Sequence, residues 1–367
     1  MGAEGLIQNA VWVAVLCLAS AAAWQALLRT SPIHPLPVHL LPRPPAEGVY
    51  APNFRLNNAV KVGSGLIPGG EDLAVDREGR SFFTGCSDGW IKRVWIDQPD
   101  AERVENWTFV GGRPLGLALG PMDELIVCAG DRGLLNVTGD KVEVLCTEAG
   151  GLPFKTVDGV DVTKEGVVYF TELTYKYSPK DILLGVFEYL PHGRLLRYDP
   201  STKSATVLLT DLYFPNAVAL SKKEDFFIYC ETLIFRCRKY WLEGEKAGKV
   251  ETFIENLPGF PDNVILDDDG TYWIGLIGER NIFWDLAAKY TSLRHLLLRI
   301  SSFINLDPFL FPTAGVVGVR EDGEAIAYYS DPKRSFITSG VKMGGRLYFV
   351  SLHENSIGRS PANFPDQ

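Results

Sequence analysis

Histidine and paired cysteine motifs are scarce in this sequence. Its 367 residues include 5 His and 6 Cys, and no two cysteines have the CxxC spacing of zinc or redox sites. The spacing is also not that of a disulfide-rich scaffold. Cys86 and Cys128 end apolar runs and are expected to be small core residues. Cys230 and Cys237 are close enough in sequence to bridge a hairpin, and both the paired and the free state stay open.

A basic surface is also missing. Asp and Glu number 45 against 36 Lys and Arg, so the net charge is −9. This balance argues against nucleic acid as a partner and is easier to reconcile with a small-molecule substrate or a metal ion. With 36 Gly, 23 Pro and 11% aromatic residues, the composition favours many strands and turns over long helices.

The N-terminal segment Leu6–Leu28 contains no charged residue. It is long enough for a membrane-spanning helix, which takes about 20 residues. The small residues at its end also resemble a signal-peptidase site after Ala21 or Ala23. Residues 1–28 are therefore expected to be a signal peptide or, if uncleaved, a membrane anchor. Either leads to the secretory pathway: the endoplasmic reticulum membrane or lumen, the vacuole or the cell exterior.

Two further features agree with this location. Asn106 and Asn136 each begin an Asn-x-Thr triplet, which is the acceptor for N-linked glycosylation. Residues 29–52 are rich in proline and lack periodicity, so they are interpreted as a linker to the folded body.

The remaining chain contains a repeated pattern of short apolar run, turn and second apolar run. The copies start 44, 43, 58, 46 and 53 residues apart, which leaves room for four short strands in each. We therefore expect an all-β fold, a six-bladed β-propeller over residues 53–360, with an irregular β-sandwich as the alternative. The first residues of the six copies are Leu73, Leu117, Val160, Val218, Val264 and Val317.

Residues 281–303 break the β pattern, because their apolar residues recur at helical spacing. We expect a helical insertion between blades five and six. It would serve as a lid or membrane contact, or would simply pack on the propeller.

Equivalent positions at the start of the innermost strands of a propeller converge on its axis. Four of the six aligned positions carry side-chain oxygens, and the next position adds Asp72 and Asn263. Oxygen ligands without His or Cys favour a hard cation, and Ca²⁺ tolerates irregular geometry better than Mg²⁺. The alternative is that Asn and Asp only open turns. The aligned residues are Glu71, Leu115, Asp158, Asn216, Asp262 and Gly315.

The sequence resembles the strictosidine synthase-like proteins, whose wider superfamily includes paraoxonases and gluconolactonases. The motifs that carry the resemblance are GGEDLAVDREGRSFFTGCSDGWIKRV, GRPLGLAL, HGRLLRYDPSTKS, FPNAVALS and NLPGFPDNVILDDDGTYWIGL. The resemblance implies a six-bladed propeller with a calcium ion in its channel. By position it implies the ligands Glu71, Asp158, Asn216, Asp262 and Asn263, with Asp158 where the related hydrolases have Asn.

The sequence departs from strictosidine synthase at the catalytic position. That enzyme uses a Glu in its last blade as acid and base, whereas residues 333–342 here contain no carboxylate and no His. Ser335 and Thr338 stand closest to the missing Glu. We therefore expect no strictosidine synthase activity.

Three residues are candidates for proton transfer. The paraoxonase-like histidine pair is absent from the comparable segment LIVCAGDRGLL, and His353, after a late strand, is the one His that we would test. In a gluconolactonase-like scheme a carboxylate handles the proton, and Asp262 or Glu172 are the candidates. For Glu172 the alternative is a salt bridge at the channel rim.

These observations lead to three hypotheses about function. The first is a calcium-dependent esterase or lactonase-type hydrolase that acts on a small organic substrate. The second is a non-catalytic propeller that binds a partner and is stabilised by metal. The third is a Pictet–Spengler-type condensing enzyme with a relocated base.

Overall fold

The fold is a six-bladed β-propeller, as expected. The computed structural model describes residues 3–96 and 103–361. Within these residues, six antiparallel sheets of four strands each follow one another along the chain. The innermost strands of successive blades contact each other, so that they surround a central axis.

The first three blades are each built from four consecutive strands, which run in chain order from the innermost to the outermost. Blade 1 consists of Ala74–Val75, Ser81–Gly85, Trp90–Trp95 and Arg103–Phe109. Blade 2 consists of Leu117–Leu119, Leu125–Cys128, Leu134–Thr138 and Lys141–Cys146. Blade 3 consists of Thr156–Val162, Val168–Thr174, Gly193–Asp199 and Ser204–Leu212.

The last three blades include the closure of the ring. Blade 4 consists of Pro215–Leu220, Phe226–Glu231, Arg236–Trp241 and Val250–Ile254. Blade 5 consists of Gly259–Leu266, Thr271–Glu279, Ala314–Arg320 and Ala325–Asp331. Blade 6 consists of Ile337–Met343, Arg346–Ser351, Ile357–Arg359 and Val60–Val62. Its outermost strand comes from the start of the body and pairs antiparallel with Ile357–Arg359, which joins the two ends of the ring.

The second strand of each blade forms much of the core. All residues of Ser81–Gly85, Val168–Thr174 and Phe226–Glu231 are buried, because neighbouring blades cover both faces of these strands. Outer strands such as Arg103–Phe109 are mostly exposed or half-buried. The sequences follow this gradient, with continuous apolar runs inside and charged residues outside.

The expected start of the sixth repeat is wrong. Val317 and Gly315 lie in Ala314–Arg320, the third strand of blade 5, where Gly315 pairs with Leu276 and Ser330. The innermost strand of blade 6 is Ile337–Met343. The third and fourth strands of blade 5 follow a long insertion, so that in sequence they imitate the beginning of a new repeat.

Five α-helices lie in the described residues: α1 (Ala3–Arg29), α2 (Ile182–Glu188), α3 (Ile282–Lys289), α4 (Thr291–Ser301) and α5 (Asp307–Leu310). The region expected to be one helix is divided at Tyr290, and the Asn281 side chain caps α3 by accepting a hydrogen bond from Phe283 N. Helices α3–α5 connect the second and third strands of blade 5, so the expected position between blades five and six is wrong.

Short elements complete the fold. A two-stranded hairpin pairs Glu148–Ala149 with Leu152–Pro153. Single 3₁₀ turns occur at Gly48–Tyr50, Pro179–Asp181, Thr232–Ile234 and Gly244–Lys246. No helix in the described part of the chain meets the length and apolarity needed to span a bilayer. The anchor or signal role of residues 1–28 therefore stays a prediction.

Cys230 and Cys237 form a disulfide between paired positions of the second and third strands of blade 4. Both residues are buried in the core. The bond closes a short loop with a sequence separation of 7. Such a bond is stable in an oxidising compartment, which agrees with the secretory location expected from the N-terminal segment.

We predict that replacing both cysteines by alanine lowers the free energy of unfolding by about 2 kcal/mol, because the unfolded chain regains the entropy of the open loop. Denaturant unfolding of oxidised protein measures this loss. The free, half-buried Cys146 provides a control, since Cys146→Ala leaves the disulfide in place. Equal stability of the double variant and the parent would contradict the prediction.

The two glycosylation candidates differ in accessibility. Asn106 is exposed on the outermost strand of blade 1. Asn136 is half-buried on the third strand of blade 2, and its amide oxygen is buried. A glycan on the folded protein is therefore compatible with Asn106 and sterically opposed at Asn136.

We predict one N-linked glycan, on Asn106, when the full chain is expressed in a secretory host. Peptide N-glycosidase treatment should lower the apparent mass of the parent. Asn106→Gln should remove this shift and Asn136→Gln should not. A shift that persists in the first variant and disappears in the second would contradict the assignment.

Candidate functional site

Four polar side chains from four blades converge at one end of the propeller axis. Glu71 precedes the innermost strand of blade 1, and Asp158, Asn216 and Asp262 lie near the beginning of the innermost strands of blades 3, 4 and 5. All four are buried, with at most 6% of their surface exposed. Each has an oxygen atom without a hydrogen-bond partner among the described residues: Glu71 Oε2, Asp158 Oδ1, Asn216 Oδ1 and Asp262 Oδ1.

A local irregularity in the sheets brings these side chains to the axis. The register of the innermost strand against the second strand shifts between Val157 and Val160 in blade 3, and again between Pro261 and Val264 in blade 5. Blade 4 has the same shift around Asn216. Residues within such bulges leave the regular ladder, so their side chains can be aimed differently from those of their neighbours. The same kind of bulge occurs in three blades and positions Asp158, Asn216 and Asp262.

The carboxyl groups of the site repel each other. Burial raises the pKa of Glu71 well above its usual range, and the nearby charges of Asp158 and Asp72 raise it further. The pKa of Asp158 is raised by burial and by Asp262. Burial and Glu71 raise the pKa of Asp262 in the same way. Three acids that each resist ionisation in one small volume need a cation if all three are to be charged.

Three neighbouring side chains position these groups. Asn263 Nδ2 donates a hydrogen bond to Glu71 Oε1 at 2.8 Å, so Asn263 orients a carboxylate of the site. Thr338 Oγ1 donates to the backbone oxygen of Glu71. Asp72 accepts hydrogen bonds from Ser339 Oγ at 2.8 Å and Leu117 N at 3.1 Å, which connects blade 1 to blades 6 and 2. Asp72 thus helps to hold the ring together.

Arg113 is a residue that the sequence interpretation missed. Its guanidinium lowers the pKa of Glu71, Asp158 and Asp262, against the larger effect of burial. Nη2 donates to Gly69 O at 2.9 Å, while Nη1 is buried without a hydrogen-bond partner in the described chain. The sequence could have indicated this residue, because blade 2 has the apolar Leu115 at the aligned position and Arg113 two residues before it. Arg113 supplies part of the positive charge that the site requires.

The residues of the site fit a calcium ion. The unpartnered atoms are carboxylate and amide oxygens, which are the donors that Ca²⁺ prefers. In the described residues, no group of three or more His, Cys, Asp or Glu side chains is by itself placed to hold a metal. Glu71, Asp158 and Asp262 therefore do not form such a group, and the fit to calcium is one of donor chemistry.

The proposed catalytic residues lie in different surroundings. Asp262 is part of the axial site. Glu172 is completely buried and is held by Arg194 Nε at 2.6 Å and Lys155 N at 2.7 Å. This geometry matches the alternative in which Glu172 forms a salt bridge. Because both of its oxygens are engaged by the protein, Glu172 is poorly placed to accept a proton from a substrate.

His353 lies on the rim at the same end of the propeller. Its Nδ1 is 3.1 Å from Ser335 Oγ, and its Nε2 is 3.7 Å from Asp307 Oδ2. The ring packs against Phe336, with 4.3 Å between centroids. A serine, a histidine and a carboxylate in this order can act together in acid–base catalysis, although here the histidine is substantially exposed.

A cavity of about 370 Å³ lies in the channel on the far side of the site. Asp72 and Asn263 face it at one end, and Asp161 lies along its wall. Burial raises the pKa of Asp161 to about 6, although Leu220 N and Val162 N both donate to it. The site therefore lies at one end of the cavity in the channel.

The fold and the site together define a class: six-bladed β-propellers with an oxygen-lined site at one end of the central channel. The chain belongs to the strictosidine synthase-like family. Residues 158–245 match the family model for strictosidine synthase, and residues 48–94 match that for the N-terminal part of strictosidine synthase-like proteins.

Curated relatives support this assignment over most of the chain. Strictosidine synthase-like 4 of Arabidopsis thaliana is 42% identical over 307 residues, which are 83% of this chain and 82% of the relative. The adipocyte plasma membrane-associated protein of Danio rerio is 31% identical over 344 residues, 88% of this chain and 82% of the relative.

Solved structures share the fold at low identity. A gluconolactonase from Xanthomonas campestris has a TM-score of 0.59 at 16% identity, and the match covers 91% of this chain and 99% of that one. The calcium-binding protein regucalcin from Agrobacterium tumefaciens has a TM-score of 0.54, also at 16% identity, over 83% and 91% of the two chains.

We predict that the metal-free protein loses stability as the pH rises. The folded state holds protons on Glu71, Asp158 and Asp262 at pH values where the unfolded chain has released them, because their pKa values are raised. This contribution is complete below the ordinary carboxyl pKa values and is lost as the pH rises through the raised ones. Calcium should oppose the loss by neutralising the ionised groups.

Thermal unfolding at about pH 5 and about pH 8, with chelator or with excess calcium, tests this prediction. The melting temperature in chelator should fall between the two pH values, and calcium should restore it at the higher one. Asn216→Ala is the informative variant, since it removes an oxygen ligand and leaves the charge unchanged. Identical pH profiles with and without calcium would contradict the prediction.

Proposed function

We propose that this protein is a calcium-dependent hydrolase that acts on an ester or lactone of a small organic substrate. One observation carries the proposal: four buried side chains, near the starts of the innermost strands of four blades, each have an oxygen without a partner in the described part of the protein. Among proteins of the same fold are one named a gluconolactonase and one described as calcium-binding, which gives the proposed chemistry a precedent.

The proposed ligands are Glu71, Asp158, Asn216, Asp262 and Asn263, and the amide nitrogen of Asn263 also holds Glu71 in place. A bound calcium ion would polarise the carbonyl oxygen of the substrate and stabilise the negative charge that develops there. Arg113 would add positive charge at the same end of the channel. The buried surroundings would strengthen each of these interactions, since little water is present to screen them.

The proton of the attacking water needs an acceptor. Asp262 can take this role if one of its oxygens remains free for water, and His353 is the second candidate, since it stands on the rim beside Ser335 and Asp307. The surroundings of Glu172 make it the weakest of the three. The proposed proton acceptors are therefore, in order of preference, Asp262, His353 and Glu172.

Two other functions remain as alternatives. A binding propeller stabilised by metal needs the same four oxygens and no proton acceptor. A condensing enzyme needs a base at the last blade, where Ser335 bonds to His353 and Thr338 bonds to Glu71 O. Neither hydroxyl is basic enough at neutral pH, so we continue to expect no strictosidine synthase activity.

We also propose that the protein enters the secretory pathway through residues 1–28, as a cleaved signal or an anchor. The disulfide and the uncharged N-terminal segment support this location. A relative that is 31% identical is named as plasma membrane-associated, which favours the anchor.

We predict that the purified protein hydrolyses members of a panel of lactones and aryl esters, and that a calcium chelator abolishes the turnover. Glu71→Gln and Asn216→Ala should weaken calcium binding by at least about tenfold, because each removes charge or an oxygen from the ligand set. Calcium content and isothermal titration measure binding, and initial rates measure turnover.

The matched control is Glu231→Gln, which changes a buried carboxylate of blade 4 that is paired with Arg236 away from the axis. It should reduce stability and retain calcium. His353→Ala and Glu172→Gln then separate the proton acceptors, since both should keep the metal. Calcium binding without turnover of any substrate would favour the binding propeller. No calcium binding by the parent would exclude the axial metal site itself.

A further inference from the structure

We infer that an apolar surface on the helical insertion of blade 5 docks onto a lipid bilayer. We call it the insertion patch and define it by six exposed side chains of the segment 282–309: Ile282, Phe283, Leu286, Phe303, Ile304 and Phe309. The inference concerns how the propeller is oriented and is independent of the proposed hydrolysis.

The side chains of the patch are much more exposed than those of residues that pack on the propeller. Phe303 is 74% exposed and Phe309 is 62% exposed. The opposite face of α3 is buried, with Trp284 in the core among Phe260 and Phe311. The insertion thus has one face that holds it on the propeller and a second apolar face that the propeller leaves exposed. Contiguous exposed apolar surface of this kind marks an interaction site.

The patch residues belong to one surface. The Asn281 side chain donates to Phe309 O at 2.9 Å, which places α5 beside the beginning of α3. Phe303 and Ile304 share the wall of a cavity with the exposed Leu183 of α2, so the surface extends toward the insertion of blade 3.

We infer that lipid covers the insertion patch because of the place at which α1 joins the propeller. Apolar side chains of α1, such as Trp12, Leu16 and Leu18, are exposed as well. Helix α1 contacts α4, and just after its end Ser31 Oγ lies 2.7 Å from His295 Nδ1. Helix α1 therefore joins the insertion at α4, which lies in sequence between the patch residues of α3 and Phe303.

The linker fixes this connection. Ile33 is buried, and the next residue donates from His34 N to Glu188 Oε1 at 2.9 Å. Val38 N then donates to Ala288 O of α3 at 2.8 Å. The chain is thus held by α2 of blade 3 and by α3 of the blade 5 insertion over its first residues after α1. Any membrane that takes up α1 lies close to the insertion patch.

The charges around the patch suit a lipid surface. Between residues 281 and 310 the exposed charged residues are the basic Lys289 and Arg299, whereas Arg294 is buried and Asp285 and Asp307 are half-buried. Lys289 lies over the ring of the exposed Tyr290, and Arg299 lies over Phe303. A basic side chain beside an aromatic ring is typical of residues at the level of lipid headgroups.

The docked orientation would turn the axial site toward the membrane. The insertions of blades 3 and 5 follow the ends of second strands, which run antiparallel to the innermost strands. They therefore stand at the end where the innermost strands begin, which is the end that carries Glu71 and Asp262. Substrates that reach the site from a bilayer would be apolar.

The test uses the full chain reconstituted into phosphatidylcholine vesicles that contain some phosphatidylserine. In a Cys17→Ser, Cys146→Ser background, a polarity-sensitive fluorophore is attached through Phe303→Cys or, as a control, Met122→Cys. Met122 is 81% exposed in the turn between the first two strands of blade 2, at the opposite end of the propeller. Brominated lipids should quench the fluorophore at position 303, with a blue shift of its emission, and leave position 122 unchanged.

A second pair of variants tests whether the patch itself makes the contact. With the fluorophore at Leu286→Cys, the triple change Phe283→Ser, Phe303→Ser, Phe309→Ser should abolish quenching. The control triple Phe54→Ser, Phe109→Ser, Met122→Ser alters equally exposed residues elsewhere and should retain it. Melting temperatures should be similar for both, because all these side chains are exposed.

Three results would overturn the inference. Equal quenching at positions 303 and 122 would show no preferred face. Quenching that survives the patch triple would assign the contact to α1 alone. A blue shift at position 303 in solution without vesicles, rising with protein concentration, would identify a second copy of the chain as the occupant. None of these results depends on whether the protein hydrolyses a substrate.

Discussion

Negative charge concentrated on the propeller axis is the constraint on which the site depends. Three buried carboxyl groups from different blades raise one another's pKa, and the half-buried Arg113 offsets only part of this effect. The blades cannot separate these groups, because the innermost strands all begin around one axis. A cation bound there, as we propose, would resolve the conflict and at the same time connect four blades. Metal binding and the integrity of the ring are therefore expected to be coupled.

Asp72 and Asn263, which are adjacent in sequence to Glu71 and Asp262, have different hydrogen-bond partners from those two residues. Asp72 stands next to Glu71 in sequence, yet both of its oxygens accept hydrogen bonds, from blades 6 and 2. Asn263 stands next to Asp262 and orients Glu71. In both pairs one residue is left with an unpartnered oxygen and the other stabilises its surroundings. For Asp262 and Asn263 the bulge makes this possible, since adjacent residues in a bulge need not point to opposite faces of the sheet, whereas Glu71 and Asp72 precede their strand.

The repeat pattern predicted the number of blades correctly and misplaced one of them. Five innermost strands were found from their apolar runs, whereas the sixth was assigned to Val317 because the helical insertion separates the two halves of blade 5. The true strand, Ile337–Met343, has the sequence ITSGVKM, in which no uninterrupted apolar run occurs. Its Thr338 and Ser339 hydroxyl groups bond to blade 1, at the contact that joins the last blade to the first.

Sequence alone determined the propeller, its channel residues and the family resemblance, because these depend on local periodicity and on residues at fixed places in each repeat. Tertiary structure alone decided which oxygens remain without a partner in the described chain. Glu172 and Glu71 are both carboxylates beside an apolar run, but Arg194 reaches the first from the adjacent strand, whereas the second keeps one oxygen unbonded. The same holds for the insertion, where only the packing shows which face of α3 the propeller covers. Pairing between distant segments is set by the arrangement of the blades, and the local sequence carries no record of it.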